Sequence, residues 1–330
     1  QAGAIPVGKT RSTEFAFIDP TITRNPYDPT RSPGGSSSGS GAVVGAGIVP
    51  FALGTQTAGS LCRPATYCGA ASYKPGYGVL PVTGMAPLSR QFDTIGVIAE
   101  SATWLGRIFS VLAKDFGIPV GTVPAKSLRI GLLTVPEQAP EPSMRHAMQD
   151  VVSRFRTAGH KVTETKSPVS FASAIAHHRT IMLAQAAQAL IPLVGGRRDR
   201  LKPKLAAALQ EGAEIKASDL DRAILWIKSA QNDFWKELAA FDLLLAYPVP
   251  GAAPIGLATT GDQTYLTPWT AMAGPLVSLP IGIDPEGLPL GILLGAPPGQ
   301  DGFLLEAALV LAALLPNTPR PPLPETGNLS

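Results

Sequence analysis

Two clusters of small residues constrain this chain more than any other feature. Residues 34–40 read Gly-Gly-Ser-Ser-Ser-Gly-Ser, and residues 54–60 read Gly-Thr-Gln-Thr-Ala-Gly-Ser. Such composition is typical of flexible linkers, because glycine lets the backbone turn through positive φ. Here, however, residues 42–53 are almost entirely apolar and residues 64–73 carry no charge. A solvated linker does not lie inside an apolar run, so the sequence predicts two buried turns.

The second cluster has the composition of an anion-binding turn. In a tight turn, the backbone N–H groups of Thr57, Ala58, Gly59 and Ser60 point toward one spot and form an oxyanion hole. The Ser60 hydroxyl then lies beside the position where negative charge develops during acyl transfer. The pattern therefore predicts Ser60 as a nucleophile next to its own oxyanion hole.

Further motifs occur in a fixed order along the chain. They lie at residues 8–10, 14–16, 34–40, 52–60, 64–65, 68–69, 73–78, 92–96, 261–262, 274–280 and 287–291. Together they resemble the amidase signature family of serine hydrolases. The resemblance covers nearly the whole chain and is weakest from about residue 125 to residue 240. It implies an α/β fold with a mixed central β-sheet covered by helices on both faces.

The resemblance also implies a catalytic triad of serine, cis-peptide serine and lysine. By position, Ser60 is the nucleophile and Ser36 is the cis-peptide serine that relays the proton. The Gly34–Gly35 pair before Ser36 is expected at the substrate. The nucleophile attacks an amide carbonyl, ammonia or an amine leaves, and water releases the acyl group.

The lysine of this triad is expected upstream of the cis-peptide serine. Only Lys9 precedes Ser36 here, and Lys9 matches a different position of the family pattern. Either the N-terminal part of the domain lies outside this sequence, or the protein lacks the base. We expect the first, because Gln1 opens within a motif and no initiator Met precedes it.

Three positions depart from the common family pattern. Many members have Asp where Gln56 stands and Arg where Cys62 stands, whereas here the arginine follows one step later as Arg63. This pattern resembles the malonamidase-like branch, in which Arg63 would bind a substrate carboxylate bidentately. The alternative is that Arg63 pairs with an acid or a backbone carbonyl of the protein, and the sequence leaves both open. Ala58, where many members have Gly, keeps the N–H group.

Composition places the chain among globular proteins. Of its 330 residues, 45% are hydrophobic and 15% are charged, which argues against disorder. The net charge of +3 is too small to indicate nucleic acid or membrane as a partner. No run of apolar residues is long enough to cross a membrane. A small-molecule amide is the expected partner, and a homodimer stays open.

Cysteine and histidine content give no sign of a metal or other cofactor. Two cysteines, Cys62 and Cys68, in a chain of this length are typical of a reduced, cytoplasmic protein. We expect Cys62 to be buried as a small hydrophobic side chain. The pair His177-His178 has no partner at metal-ligand spacing, so surface or packing roles are expected.

The resemblance implies one amidase signature domain over residues 1–315, with a helical, more variable region over 165–240. The tail over 316–330 is Pro-rich and is predicted to be disordered. Strand, helix and strand are predicted at 129–133, 141–158 and 161–164, which indicates a parallel part of the sheet. Other helices are predicted at 41–47, 101–113, 171–193, 203–238 and 302–315, and other strands at 49–53, 241–248, 276–283 and 290–294.

Alternative functions remain open at this level. Residues 3–10 satisfy the P-loop pattern G-x-x-x-x-G-K-T, but a nucleotide site needs a strand before it and a helix after it. A member of the same fold can release ammonia from glutamine within an amidotransferase complex, and a member without the lysine would be a non-catalytic scaffold. Asp93 is expected to cap a turn rather than to act in catalysis.

Overall fold

A mixed β-sheet of eight strands forms the centre of the part of the chain that the structure describes. The structure is a computed structural model that describes residues 3–119, 127–135 and 139–321. The strands are β1 (Phe51–Gln56), β2 (Ala71–Lys74), β3 (Thr94–Ala99), β4 (Arg129–Thr134), β5 (Lys161–Lys166), β6 (Leu243–Ala246), β7 (Leu276–Ile283) and β8 (Pro289–Gly295). They lie in the order β1-β3-β2-β7-β8-β6-β4-β5. Strand β4 pairs in parallel with β5 and β6, and the other pairs are antiparallel.

Helices lie on both faces of this sheet. They are α1 (Ser38–Gly45), α2 (Cys62–Tyr67), α3 (Ala102–Phe116), α4 (Pro142–Thr157), α5 (Phe171–Val194), α6 (Pro203–Glu214), α7 (Ala217–Glu237), α8 (Thr267–Ala271) and α9 (Asp301–Ala312). Alternation along β6 separates the two faces. Leu243 and Leu245 pack in one core with α3, α4 and α9, whereas Leu244 and Ala246 pack in a second core with α5, α7 and α8. The predicted α/β architecture is confirmed.

The strongest local patterns form the elements that they predict. Helix α4 buries the apolar stripe Met144, Met148, Val151 and Phe155, and it connects the parallel strands β4 and β5. Helix α3 begins where Ser101 accepts a hydrogen bond from the Trp104 N–H at 3.4 Å. These side chains act within a few residues of their own positions, so the sequence is sufficient to find them.

Two short helices and one break were not predicted. Helices α2 and α8 each follow a loop and carry Pro64 or Pro268 in their first turns, where a missing N–H costs no helical hydrogen bond. The predicted helix over 203–238 is two helices, because Ile215 and Lys216 between α6 and α7 are extended. Proline and short length hide such helices from a periodicity argument.

The two ends of the described chain also differ from expectation. Residues 3–13 form neither strand nor helix, and only a 3-10 turn (Glu14–Ala16) follows, so the helix that a P-loop opens is not formed there. The start of the predicted tail packs on the body: Thr318 Oγ1 accepts from the Gly282 N–H at 2.9 Å, and Pro319 O accepts from the Tyr27 hydroxyl at 2.8 Å. The prediction of disorder is therefore wrong for residues 316–321, and 322–330 lie outside the described residues.

None of the described helices combines the length and hydropathy that a membrane span needs.

Candidate active site

Helices α1 and α2 bring the two small-residue clusters together. A Cβ on Gly41 would lie 2.8 Å from the Pro64 carbonyl oxygen, and a Cβ on Gly45 would lie 2.2 Å from the Cys68 carbonyl oxygen. Because both distances are far below a normal carbon–oxygen contact, the helices approach this closely only with glycine at those positions. This packing places the turn before α1 beside the turn before α2.

Hydrogen bonds join the two turns directly. The Ser37 N–H donates to the Ser60 carbonyl at 3.1 Å, and the Thr55 N–H of β1 donates to Ser37 Oγ at 3.2 Å. The peptide bond between Gly35 and Ser36 is cis. The residue after Ser36 is thus bound to Ser60 itself, so the two predicted catalytic serines belong to one unit.

The loop Thr57–Ser60 has all of its carbonyl groups engaged. Thr57 O bonds to His178 Nε2 at 2.7 Å, Ala58 O to Thr270 Oγ1, Gly59 O to the Arg63 N–H at 3.0 Å, and Ser60 O to the Ser37 N–H at 3.1 Å. By contrast, the N–H groups of Ala58, Gly59 and Ser60 donate to no acceptor within the described residues. All three residues are buried, and buried N–H groups normally have acceptors. The loop therefore leaves three buried backbone donors without an acceptor among the described residues.

The side chain of Gln56 connects the residues that follow this loop to Thr270. Its side chain is fully buried, and Oε1 accepts from the N–H groups of Leu61 and Cys62 at 3.0 Å each. Its Nε2 donates to Thr270 Oγ1 at 2.9 Å. Since a threonine hydroxyl has one proton, this contact directs that proton to Ala58 O. Gln56 thus caps α2 and sets the direction of the Thr270 hydroxyl.

Asp93 holds the same loop from the side. One carboxylate oxygen accepts from the Thr57 hydroxyl at 2.6 Å, and the other accepts from the N–H groups of Leu88 at 2.9 Å and Ser89 at 3.0 Å. Burial raises the pKa of Asp93, whereas these three hydrogen bonds act against that rise. Asp93 thus makes structural contacts, as expected, but it binds N–H groups of the preceding loop and does not cap a helix.

Sequence reasoning missed His178, which lies in α5 and is buried. Its ring stacks on Phe92 with centroids 4.2 Å apart, and burial lowers its pKa to about 4. The imidazole is therefore neutral, and Nε2 carries the proton because Thr57 O can only accept. A signal was present: Phe171, Ala174 and Ile181 are the apolar residues of the same buried helical stripe.

Both predicted catalytic serines are buried, and neither hydroxyl forms a hydrogen bond within the described residues. Ser60 is 8% exposed and Ser36 is 2% exposed, and Ser36 Oγ bonds to no atom within the described residues. Lys9 is exposed. Lys74 is buried, but its Nζ donates to Pro75 O at 2.6 Å, and burial lowers its pKa to about 8. Across the described ranges, no lysine forms a hydrogen bond with Ser36.

Arg63 is a buried cation bound to protein oxygens. Nη2 donates to Gly35 O at 2.7 Å and lies 3.4 Å from Thr260 Oγ1, while Nη1 lies 3.4 Å from Asp262 O. Burial lowers the pKa of the guanidinium. Within the described part of the chain it forms no salt bridge, and its buried Nε has no partner. The strongest contact is thus to the carbonyl next to Ser36.

The remaining candidates for chemistry are inert or absent. Cys62 and Cys68 are buried and free, and burial raises the pKa of Cys62 to about 11. The expectation that Cys62 packs as a small hydrophobic side chain is confirmed. Among residues 3–119, 127–135 and 139–321, no three His, Cys, Asp or Glu side chains are grouped to hold a metal ion.

The α/β fold and the comparisons with known proteins together identify an enzyme that acts on amide C–N bonds. The sequence profile of the amidase family matches residues 1–305, and the chain belongs to that family. The malonamidase-like branch stays a prediction.

Particular relatives fall within the same class. The chain is 29% identical to a glutamyl-tRNA(Gln) amidotransferase subunit of Synechococcus sp. (strain RCC307), over 98% of this chain and 78% of that protein. A crystal structure of an amidase superposes with a TM-score of 0.80 at 25% identity, over 89% of this chain and 69% of the other. The corresponding glutamyl-tRNA(Gln) amidotransferase subunit of Thermotoga maritima superposes with a TM-score of 0.79 at 24% identity, over 96% of this chain and 76% of the other.

Proposed function

We propose that this protein hydrolyses a small carboxylic amide to an acid and ammonia, with Ser60 as the nucleophile. One observation carries the proposal: the buried loop that ends at Ser60 binds all its carbonyl groups inside the protein and, within the described residues, leaves the N–H groups of Ala58, Gly59 and Ser60 free. Such a loop favours negative charge at one point beside the Ser60 side chain.

The proposed reaction proceeds in two steps. Ser60 Oγ attacks the carbonyl carbon, and the oxygen that becomes negative accepts hydrogen bonds from the free N–H groups. Ser36 carries the Ser60 proton toward the leaving nitrogen, and ammonia departs from an acyl-enzyme. Water then attacks the ester by the same route and releases the acid. Each donor of an oxyanion hole contributes about 10²- to 10³-fold to the rate.

Ser36 needs a proton acceptor of its own. Its buried hydroxyl has no partner within the described residues, which supports a contact with a group from outside them. The resemblance implies a lysine upstream of Ser36 as that group. The competing proposal is a scaffold with the amidase fold and no base. A lysine in an apolar segment of the full-length protein distinguishes the two.

A second candidate function is the release of ammonia from glutamine by one component of an amidotransferase complex. The names of the relatives favour it, since several are amidotransferase subunits and match most of this chain. In this case the isolated protein is inactive toward free small amides and active on glutamine only with its partner proteins. Turnover of small amides by the isolated full-length protein favours the first proposal.

Whether Arg63 binds a carboxylate of the substrate is a separate question. Gly35 lies beside Thr260, because a Cβ on Gly35 would be 2.7 Å from Thr260 Cγ2, whereas Gly34 lies beside Pro64 and Tyr67. Arg63 lies next to them and is the predicted ligand for a substrate carboxylate, for which its unpaired Nε is the available donor. We keep this role as a proposal, to be tested separately from the chemistry at Ser60.

Covalent labelling tests the proposal. The full-length protein is incubated with a fluorophosphonate and analysed by mass spectrometry. We expect one adduct on Ser60, none in Ser60→Ala, and slow formation in Ser36→Ala. Ser110→Ala, on the exposed side of α3, is the matched control and should label like the wild type. No adduct on Ser60 in a protein that contains the upstream lysine would contradict the proposal and favour the scaffold.

A further inference from the structure

Two side chains that are remote in sequence fix the carbonyl groups at the start of the proposed oxyanion hole. His178 of α5 binds Thr57 O, and Thr270 of α8 binds Ala58 O. Helices α5 and α8 pack together in the second core, so both anchors belong to one rigid block. Both side chains bind carbonyl oxygens of the loop, and neither binds one of its N–H groups.

Peptide geometry converts these anchors into donor directions. In a trans peptide the C=O of one residue and the N–H of the next lie in one plane and point in opposite directions. The only cis peptide of the described chain is at Gly35-Ser36, so the Thr57–Ala58 peptide is trans. A bond that holds Thr57 O toward α5 therefore turns the Ala58 N–H away from α5.

The position of His178 is itself well determined. The ring lies flat on Phe92, with 24° between the planes, and the side chain is 1% exposed. Its hydrogen bond to Thr57 O is short, at 2.7 Å. The other side of Thr57 is held by Asp93 through a 2.6 Å contact to the hydroxyl. A displacement of the Thr57 carbonyl would have to break the imidazole contact first.

We propose that His178 is a positioning residue, which acts through Thr57 O to aim the Ala58 N–H at the oxyanion. The inference rests on the proposed function, because it requires Ser60 to form a tetrahedral species in this loop. Its chemistry needs only a neutral donor at Nε2. His178 itself touches neither substrate nor reacting atoms.

The alternative is that His178 only fills the second core. A role confined to packing changes the free energy of unfolding and leaves the chemistry of the folded fraction intact. A positioning role changes the rate of the covalent step and the affinity for tetrahedral adducts, with little change in the first, non-covalent binding. These readouts separate the two roles.

The test compares variants of the full-length protein in their reaction with a fluorophosphonate. His178→Phe keeps a ring to stack on Phe92 and removes the donor, whereas His178→Gln keeps an N–H near the same place. His177→Phe is the matched control, since His177 is the neighbouring residue, stacks on Trp226, and has no hydrogen bond within the described chain. The inactivation rate constant and the inhibitor affinity are measured separately, as is the Ki of phenylboronic acid, which forms a tetrahedral adduct with serine.

We expect His178→Phe to lower the inactivation rate constant and to raise the Ki of phenylboronic acid, each by about tenfold to a hundredfold. These effects should not exceed the effect of removing one oxyanion-hole donor outright. Inhibitor affinity in the first step should stay within about threefold, and His178→Gln should retain more activity than His178→Phe. His177→Phe should behave like the wild type.

Two results would overturn the inference. One is a folded His178→Phe protein with wild-type rate and wild-type Ki, and the other is an equal loss in His178→Phe and His178→Gln. Absence of Ser60 labelling in the wild type is a different outcome, because it refutes the proposed function and the role of His178 with it. The wild-type reaction is therefore measured first.

Discussion

Replacement of Arg63 by methionine separates two roles for this buried cation. The guanidinium donates to Gly35 O at 2.7 Å, and its contacts to Thr260 and Asp262 are longer, at 3.4 Å. Gly35 O belongs to the peptide that carries the Ser36 nitrogen. Methionine replaces the aliphatic stem of arginine and has no donor, so Arg63→Met leaves Gly35 O without that partner and lets the peptide of Ser36 move.

The magnitude follows from the one strong contact. A hydrogen bond from a charged donor contributes about 1.5–3 kcal/mol, and the two longer contacts add little. If that energy holds Ser36 in place for proton transfer, kcat falls by about 10-fold to 150-fold. The free energy of unfolding changes less, because the variant also removes the cost of burying an unpaired cation.

The assay measures ammonia release from a pair of amides of similar size, malonamate and propionamide. If Arg63 acts on Gly35, kcat falls by the same factor for both substrates. If Arg63 binds a substrate carboxylate, only malonamate loses, chiefly through a higher KM. Arg129→Met is the control, since Arg129 forms an exposed ion pair with Asp242 far from the loop in the sheet order. Full activity of Arg63→Met on propionamide would refute the reasoning.

Two further predictions concern stability. The pKa of His178 is about 4 in the folded chain, below the ordinary 6.5, so its contribution is complete above pH 6.5 and is lost as the pH falls toward 4. We expect the free energy of unfolding in urea to fall by about 2–3 kcal/mol between pH 7.5 and pH 4.5 because of this group. The fall should be absent in His178→Phe and retained in His177→Phe. An unchanged pH dependence in His178→Phe would contradict the prediction. Gly45→Ala should destabilise the protein by about 1–3 kcal/mol in urea at pH 7.5, because its Cβ would meet the Cys68 backbone at 2.2 Å. Gly106→Ala, whose Cβ meets only the flexible end of Leu309, should be neutral or stabilising, and equal effects at both glycines would count against this packing argument.

Local patterns were enough for much of the fold. The unit β4–α4–β5 follows from a strand, an amphipathic stripe and a second strand, all within one stretch of chain. Local patterns do not predict the order of the strands in the sheet, because β2 and β7 are neighbours although about 200 residues separate them. Nothing in the spacing of Ser72 and Ser278 indicates that these residues pair. Resemblance to a family supplied the architecture where periodicity could not.

In the candidate site, too, local sequence predicts some features and misses others. The small residues at 57–60 predicted a turn with free N–H groups, since glycine and alanine offer no side chain to cover them. The carbonyl groups of that turn are bound by His178 and Thr270, which lie far along the chain. A histidine in a helix has many ordinary uses, so its type and position alone do not mark it as part of a site.

Gln56 and Cys62 are best understood as one coupled departure from the family pattern. Oε1 of Gln56 accepts from the Cys62 N–H at 3.0 Å, so the two positions are in direct contact beneath the nucleophile. A neutral amide at position 56 meets the needs of two α2 N–H groups and still donates to Thr270. A carboxylate there would have no proton for Thr270 and would compete with Ala58 O for the threonine hydroxyl. With the amide in place, position 62 needs no arginine as counter-charge, and the buried cation is instead Arg63, whose geometry reaches Gly35 beside Ser36.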